Sequence, residues 1–161
     1  MNGNYDESID LPYKVGCGGV VLRKVGDKVQ VLCLFRSEAK FGMGGSSYHL
    51  PKGTLETDET LEQCALREVK EESGAECEII SYIGATTSNL LSRDTKYSIS
   101  YTRHFFLMKC HKLNKSHDTE HDHAEWLPVD KAIDELAKLP KDEDKIVQNA
   151  LAYIQTANPE L

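Results

Sequence analysis

The alternation of apolar and polar residues divides the chain into strands and helices before any chemistry is considered. Val15 to Lys24 and Lys28 to Arg36 are rich in β-branched and apolar residues, with Gly26-Asp27 between them. This pattern predicts a β-hairpin, with Val29, Val31, Cys33 and Phe35 on one face of its second strand. Ser37 to Ser47 turns to Gly and Ser and reads as a mobile loop, and Tyr48 to Lys52 is a short extended piece carrying Pro51. A helix is predicted over Thr60 to Ser73, with Asp58 as its N-cap and Gly74 as its stop. Glu76 to Thr87 is strand-like. The clearest strand is Lys96 to Lys109, where Tyr97, Ile99, Tyr101, Phe105 and Leu107 alternate with Ser98, Ser100, Thr102 and His104. A His- and acid-rich loop follows over 111–123, then a short strand from Ala124 to Leu127 closed by Pro128. Apolar positions 129, 132, 133, 136 and 137, and again 146, 147, 150, 151 and 154, have helical spacing. Two helices therefore end the chain, the last stopping near Asn158-Pro159.

Intermingled strands and helices make the class α/β or α+β, as one layered domain over residues 14–157 behind a flexible arm at 1–13. A length of 161 residues suits a single domain. Nineteen Lys and Arg against 26 Asp and Glu give a net charge of −7. That balance argues against nucleic-acid or anionic-membrane partners, and a polyphosphate ligand would need a bound cation to offset the repulsion. No apolar run approaches the roughly 20 residues of a membrane span, and the acidic N-terminus lacks a signal-peptide layout, so a cytoplasmic protein is expected. Five scattered cysteines without a CxxC pair read as reduced structural thiols.

The 60–73 helix carries the chemistry. Leu61, Cys64 and Ala65 share a face with Glu68, and the same face continues through Glu71 and Glu72. Two like charges about 6 Å apart repel by roughly 3 kcal/mol at an effective dielectric near 20. Arg67 and Lys70 are expected on other faces of the helix, so a hard divalent cation, Mg²⁺ or Mn²⁺, would satisfy the triad. A charge run is ordinarily a solvated face, and the helix alone leaves both readings open.

The stretch before the helix narrows them. From Gly53 to Ala75 the chain reads Gly-x5-Glu-x7-Arg-Glu-Val-x-Glu-Glu-x-Gly-Ala, with Gly53, Glu59, Arg67, Glu68, Glu71, Glu72 and Gly74 at fixed spacing. This resembles the Nudix box of the Nudix hydrolase family, apart from Ala75, where the family usually has a larger aliphatic residue. The resemblance implies an α/β/α sandwich with a mixed sheet between helices. It also implies Mg²⁺- or Mn²⁺-assisted hydrolysis of a nucleoside diphosphate linked to another group. By the same resemblance, Glu68 and Glu72 would hold the ion directly, Glu71 directly or through water, and the Gly53 carbonyl would complete the shell. Arg67 and Glu59 would pair and fix the loop against the helix. The general base varies in the family; Glu120, Asp122 and Glu125 are candidates here, with Glu120 preferred.

Substrate choice rests on fewer residues. Pro51-Lys52-Gly53 resembles the pattern of dinucleoside polyphosphate (Ap4A) hydrolases and some diphosphoinositol polyphosphate phosphatases, and differs from the Gly-Gly of MutT-type enzymes. Those relatives often have an aromatic residue where His49 stands. Lys52 is read as a mobile cation for phosphate, with Arg36, Lys40, Arg93 and Arg103 as further cations and Tyr48, Phe41 or Tyr101 as stacking residues. Arg103 interrupts the apolar face of its strand, as an edge or a site residue. His117, His121 and His123 form a pH-sensitive loop in preference to a zinc site. The expected partner is a small nucleotide or polyphosphate, the expected state a monomer or homodimer. Alternatives are hydrolysis of modified nucleoside triphosphates, ADP-ribose or a diphosphoinositol polyphosphate, an idle nucleotide-binding module of the same family, and an acidic metal buffer.

Overall fold

A computed structural model describes residues 13–37, 45–91, 98–115 and 120–161. The N-terminal arm, most of the Gly/Ser loop with Lys40 and Phe41, and also Arg93, Tyr97 and His117, lie outside these residues. The hairpin forms as expected from β1 (Tyr13–Val25) and β2 (Lys28–Arg36), with Val25 opposite Lys28. β3 (Ser47–His49) lies beside β2, and β4 (Lys52–Thr54) beside β1. Helix α1 (Leu61–Ser73) turns at Gly74 into β5 (Ala75–Leu91), which pairs antiparallel with β6 (Ser98–Leu113). β7 (His123–Pro128) returns to β2, and α2 (Val129–Ala137) and α3 (Glu143–Ala157) follow. The order is β3-β2-β1-β6-β5, with β4 on β1 and β7 on β2. β1 and β6 run parallel from Tyr13 opposite Ser100 to Leu22 opposite Lys109, so the sheet is mixed.

Period-two alternation sorts the strands' side chains onto two faces. Val20, Leu22, Val31, Cys33, Phe105 and Leu107 join Ala132, Leu136, Ile146, Val147 and Ala150 of α2 and α3 in one core. Cys17, Val21, Leu32, Phe106 and Met108 join Cys64, Ala65 and Val69 of α1 in the other. Helices therefore cover both faces of the sheet, the layering expected of the sequence. Cys17, Cys33 and Cys64 are buried, Cys77 stands opposite Cys110 across β5 and β6, and all five are free thiols. No helix among the described residues is long and apolar enough to cross a membrane.

The N-cap of α1 and the end of β6 differ from the sequence expectation, while Gly74 stops the helix as expected. Thr60, not Asp58, caps α1: its extended backbone (φ −76°, ψ 163°) brings the hydroxyl over the Gln63 N–H, and Gln63 Oε1 accepts the Thr60 N–H in return. Asp58 lies in the preceding turn at φ 63°. Gly74 ends the helix in the left-handed region (φ 79°), where a side chain would be strained. β6 continues to Leu113 because its cross-strand partner β5 begins at Ala75, opposite Leu113. The loop expected over 111–123 is shortened accordingly.

Because the capping box satisfies two helix-end N–H groups, Thr60→Ala is expected to cost about 1 kcal/mol. In a chain of this size that lowers Tm by about 2–4 °C, measurable by calorimetry.

Candidate active site

One guanidinium organises the junction between the β4 loop and α1. Arg67 Nε donates to Glu59 Oε1 at 2.7 Å, and Nη2 donates to Glu59 Oε2 at 3.0 Å and to the Thr54 carbonyl at 3.1 Å. Nη1 donates to Glu68 Oε1 at 2.6 Å and Glu71 Oε2 at 3.2 Å. The fork-on-fork bond to Glu59 holds that carboxyl well below its ordinary range, at about 2. The expected Arg67–Glu59 pair is therefore present. The expectation that Arg67 turns away from the acidic face is corrected: a long stem lets its planar fork reach carboxylates on both sides. Lys70 does turn away and pairs with Glu76 at 3.4 Å. Burial still raises the Glu68 carboxyl, outweighing the Arg67 bond that opposes it.

Gly53 allows the loop to meet the helix. A Cβ placed there would stand 2.1 Å from Glu68 Cδ, so a side chain at this position would displace the Glu68 carboxylate. The next contact is through backbone: the Lys52 N–H donates to Glu72 Oε2 at 2.8 Å. Glu72, Glu120 and His121 each offer a ligand atom within 4.8 Å of the others. Glu68 and Glu71 lie outside this group, Glu68 bonded to Arg67 and Glu71 with its side chain 59% exposed. This donor set, chiefly carboxylate oxygens, fits a hard divalent cation.

These groups open on a cleft of about 190 Å³. Glu72 and Glu120 line it together with the cationic side chains of Arg36, Lys52, Arg103 and Lys141. Arg103, ambiguous in the sequence, belongs to the cleft; its guanidinium lies 3.8 Å over the Tyr101 ring and donates to Ser88 Oγ at 3.1 Å. Tyr101 is in turn bonded to Thr54 Oγ1 at 2.8 Å. Burial, reinforced by the Lys52 charge, lowers the Lys141 ammonium to about 8. Burial likewise holds His49 neutral, with its pKa near about 2, against Ser47 Oγ at 2.7 Å and beside the His121 ring.

Lys52 is not the mobile cation expected. Its Nζ is held by the buried Glu143 carboxylate at 2.5 Å and donates to the Leu50 carbonyl at 3.3 Å. Glu143 and Lys141 had not been singled out in the sequence. Neither sits in a local motif, and only the packing of α3 against the β4 segment brings them in. The remaining candidates lie outside the cleft lining. Tyr48 donates to Glu125 Oε1 at 2.6 Å and packs on Phe35, with burial and that bond pushing its hydroxyl up to about 12. Glu125 is thereby engaged, and Asp122 accepts the Ser37 N–H at 2.5 Å. Of the two described histidines of the loop, His121 faces the cleft and His123 stacks on Phe35.

The NUDIX domain family model matches residues 12–150. The chain belongs to the Nudix domain family. It is 31% identical over 139 residues to the Caenorhabditis elegans protein designated nudix hydrolase 1, covering 83% of this chain and 34% of that relative. The chain thus spans about a third of the relative's length. Among solved structures it resembles the C. elegans Ap4A hydrolase binary complex, with a TM-score of 0.66 and 21% identity over 88% of this chain and 98% of that one. It also resembles the NUDIX domain of Shewanella oneidensis NrtR complexed with ADP ribose, with a TM-score of 0.67 and 19% identity over 94% and 95%. At these identities the likeness is one of fold, and it matches the sandwich described above.

The Glu59–Arg67 bond gives this Nudix domain a defined acid dependence. A carboxyl lowered in the folded state contributes stability that is present above its unfolded value near 4.5 and lost as pH falls through about 2. Glu59→Gln is therefore expected to lower Tm at pH 7, with the deficit shrinking steadily between pH 4.5 and pH 2.5. Thermal melts of the two proteins across that range measure it.

Proposed function

We propose that this Nudix domain is a Mg²⁺- or Mn²⁺-dependent hydrolase of phosphoric anhydride bonds in nucleotides, with a diadenosine polyphosphate such as Ap4A as its substrate. The carrying observation is the cleft itself, lined by the carboxylates Glu72 and Glu120 together with cationic side chains. Such a lining offers cations to an anionic chain and carboxylates to a divalent ion.

The residues divide by role. Glu68 and Glu72 would hold the divalent ion, Glu71 would join directly or through water, and the Gly53 carbonyl would complete the shell; of these, Glu72 belongs to the group it forms with Glu120 and His121. When bound, that ion neutralises phosphate oxygens and acidifies the attacking water. Glu120 takes the proton from the water as it attacks phosphorus and the anhydride P–O bond breaks. Arg36, Arg103 and Lys141 line the path of the phosphate chain, beside Lys52, whose ammonium is taken up by Glu143. Arg67 and Glu59 touch no substrate; they keep the loop and α1 in register so that the carboxylates stay placed. Three cations beside the paired Lys52 favour a chain longer than the diphosphate of ADP-ribose, which is the ligand of the NrtR domain. The Ap4A hydrolase likeness is consistent with that choice.

A chromatographic screen of Ap4A, ADP-ribose, 8-oxo-dGTP and a diphosphoinositol phosphate, each with and without EDTA, tests the assignment. EDTA-sensitive conversion of Ap4A to ATP and AMP is expected; exclusive cleavage of another member would keep the chemistry and discard the substrate. Glu72→Gln is expected to retain a native melt and lose activity by at least about 100-fold, the upper end of what outer ligand-orienting residues cost. Full turnover in that variant would remove Glu72 from the ligand set.

A further inference from the structure

The least expected side chain in the molecule is the carboxylate of Glu143. It is 1% exposed, occupies the first position of α3 and stands outside the Nudix box. Its Oε2 accepts the Leu50 N–H at 2.9 Å, and its Oε1 pairs with Lys52 Nζ at 2.5 Å. A charge buried beside the fully buried Leu50 is strongly unfavourable unless it is paired. The N-terminal end of α3 and the Lys52 ammonium provide that pairing.

Lys52 is held at both ends. Its ammonium is on Glu143, while its own N–H is on Glu72 at 2.8 Å. One residue thus links a buried carboxylate of α3 to a cleft carboxylate of α1. Arg36, Arg103 and Lys141 line the same cleft, and an uncompensated lysine among them would be drawn to any anion that entered. We propose that Glu143 is a positioning residue that turns Lys52 from a phosphate-grasping cation into a fixed strut, setting Glu72 in place and leaving the anion to Arg36, Arg103 and Lys141. This rests on the cleft being an anion site, as argued above.

Glu143→Gln keeps a carbonyl oxygen for the Leu50 N–H and removes the charge. With Lys52 no longer neutralised, calorimetric titration of the variant with inorganic tripolyphosphate in EDTA is expected to show affinity tightened by about tenfold. On the cleaved nucleotide, kcat and KM are both expected to fall, because the ammonium then holds the phosphate chain and Glu72 loses its support. A merely structural residue would instead give a lower Tm with unchanged or weaker tripolyphosphate binding, and that result overturns the proposal. Should Glu143→Gln not fold, Lys52→Met is compared with the Lys52→Met, Glu143→Gln pair. Lys52→Met is expected to bind tripolyphosphate more weakly than wild type, and the double variant to recover that affinity; a double variant no tighter than Lys52→Met overturns the proposal. Wild-type protein that binds no tripolyphosphate overturns it together with the anion cleft. Wild-type binding with the expected variant shifts, but no nucleotide turnover, supports it and removes only the hydrolase assignment.

Discussion

The bidentate bond between Arg67 and Glu59 is the constraint on which the rest of the site depends. A helix bearing Glu68, Glu71 and Glu72 on adjoining faces would repel itself and any acidic loop laid against it. A guanidinium that satisfies Glu59, Glu68, Glu71 and the Thr54 carbonyl together neutralises that repulsion while welding the loop to the helix. Lysine in this place would supply the charge but not the fork, and a point charge does not fix the relative orientation of four acceptors. With the loop fixed, Gly53 can lie against Glu68 and the Lys52 N–H can reach Glu72.

The cleft is polar on an apolar foundation. Its floor and walls are Tyr101 and Arg103 of β6, Lys52 of β4 and Lys141 just ahead of α3, elements whose opposite sides or neighbouring residues are packed in the core beneath α2 and α3. Rigidity of that core therefore becomes rigidity of the charges above it. The burial that keeps His49 neutral and weakens protonation of Lys141 is the same burial that makes each remaining ionic contact stronger than it would be in water.

Much of this was legible in the sequence, and the exceptions share a cause. The β1–β2 hairpin, α1, β6 and the two last helices follow from local periodicity, and Glu59, Arg67, Glu68 and Glu72 from fixed spacing within 23 residues. Glu120 could be nominated because few acids were available on its loop. The N-cap is not legible in the sequence because Thr57, Asp58 and Thr60 are all competent cap residues, and only backbone geometry chooses among them. Lys52 reads as mobile in the sequence because its partner, Glu143, enters from a helix near the far end of the chain. Lys141 and the placing of Tyr48 on Glu125 are likewise products of long-range packing, for which a single sequence carries no spacing signal.

Among the described residues β5 ends the strand order, so one side of its long backbone is not paired with another described strand. Register shifts interrupt its pairing at Glu76/Cys77, Ile79/Ser81 and Tyr82/Gly84, and Gly84 sits at φ 126°, where side-chain-bearing residues are strained. Each bulge twists the strand and misaligns its outward N–H and C=O groups. A foreign strand laid along Ala75 to Gly84 would find hydrogen-bond donors and acceptors in register for only a few residues at a time, while the rest of β5 keeps one register. The irregularity thus also protects the first part of this edge from edge-to-edge aggregation.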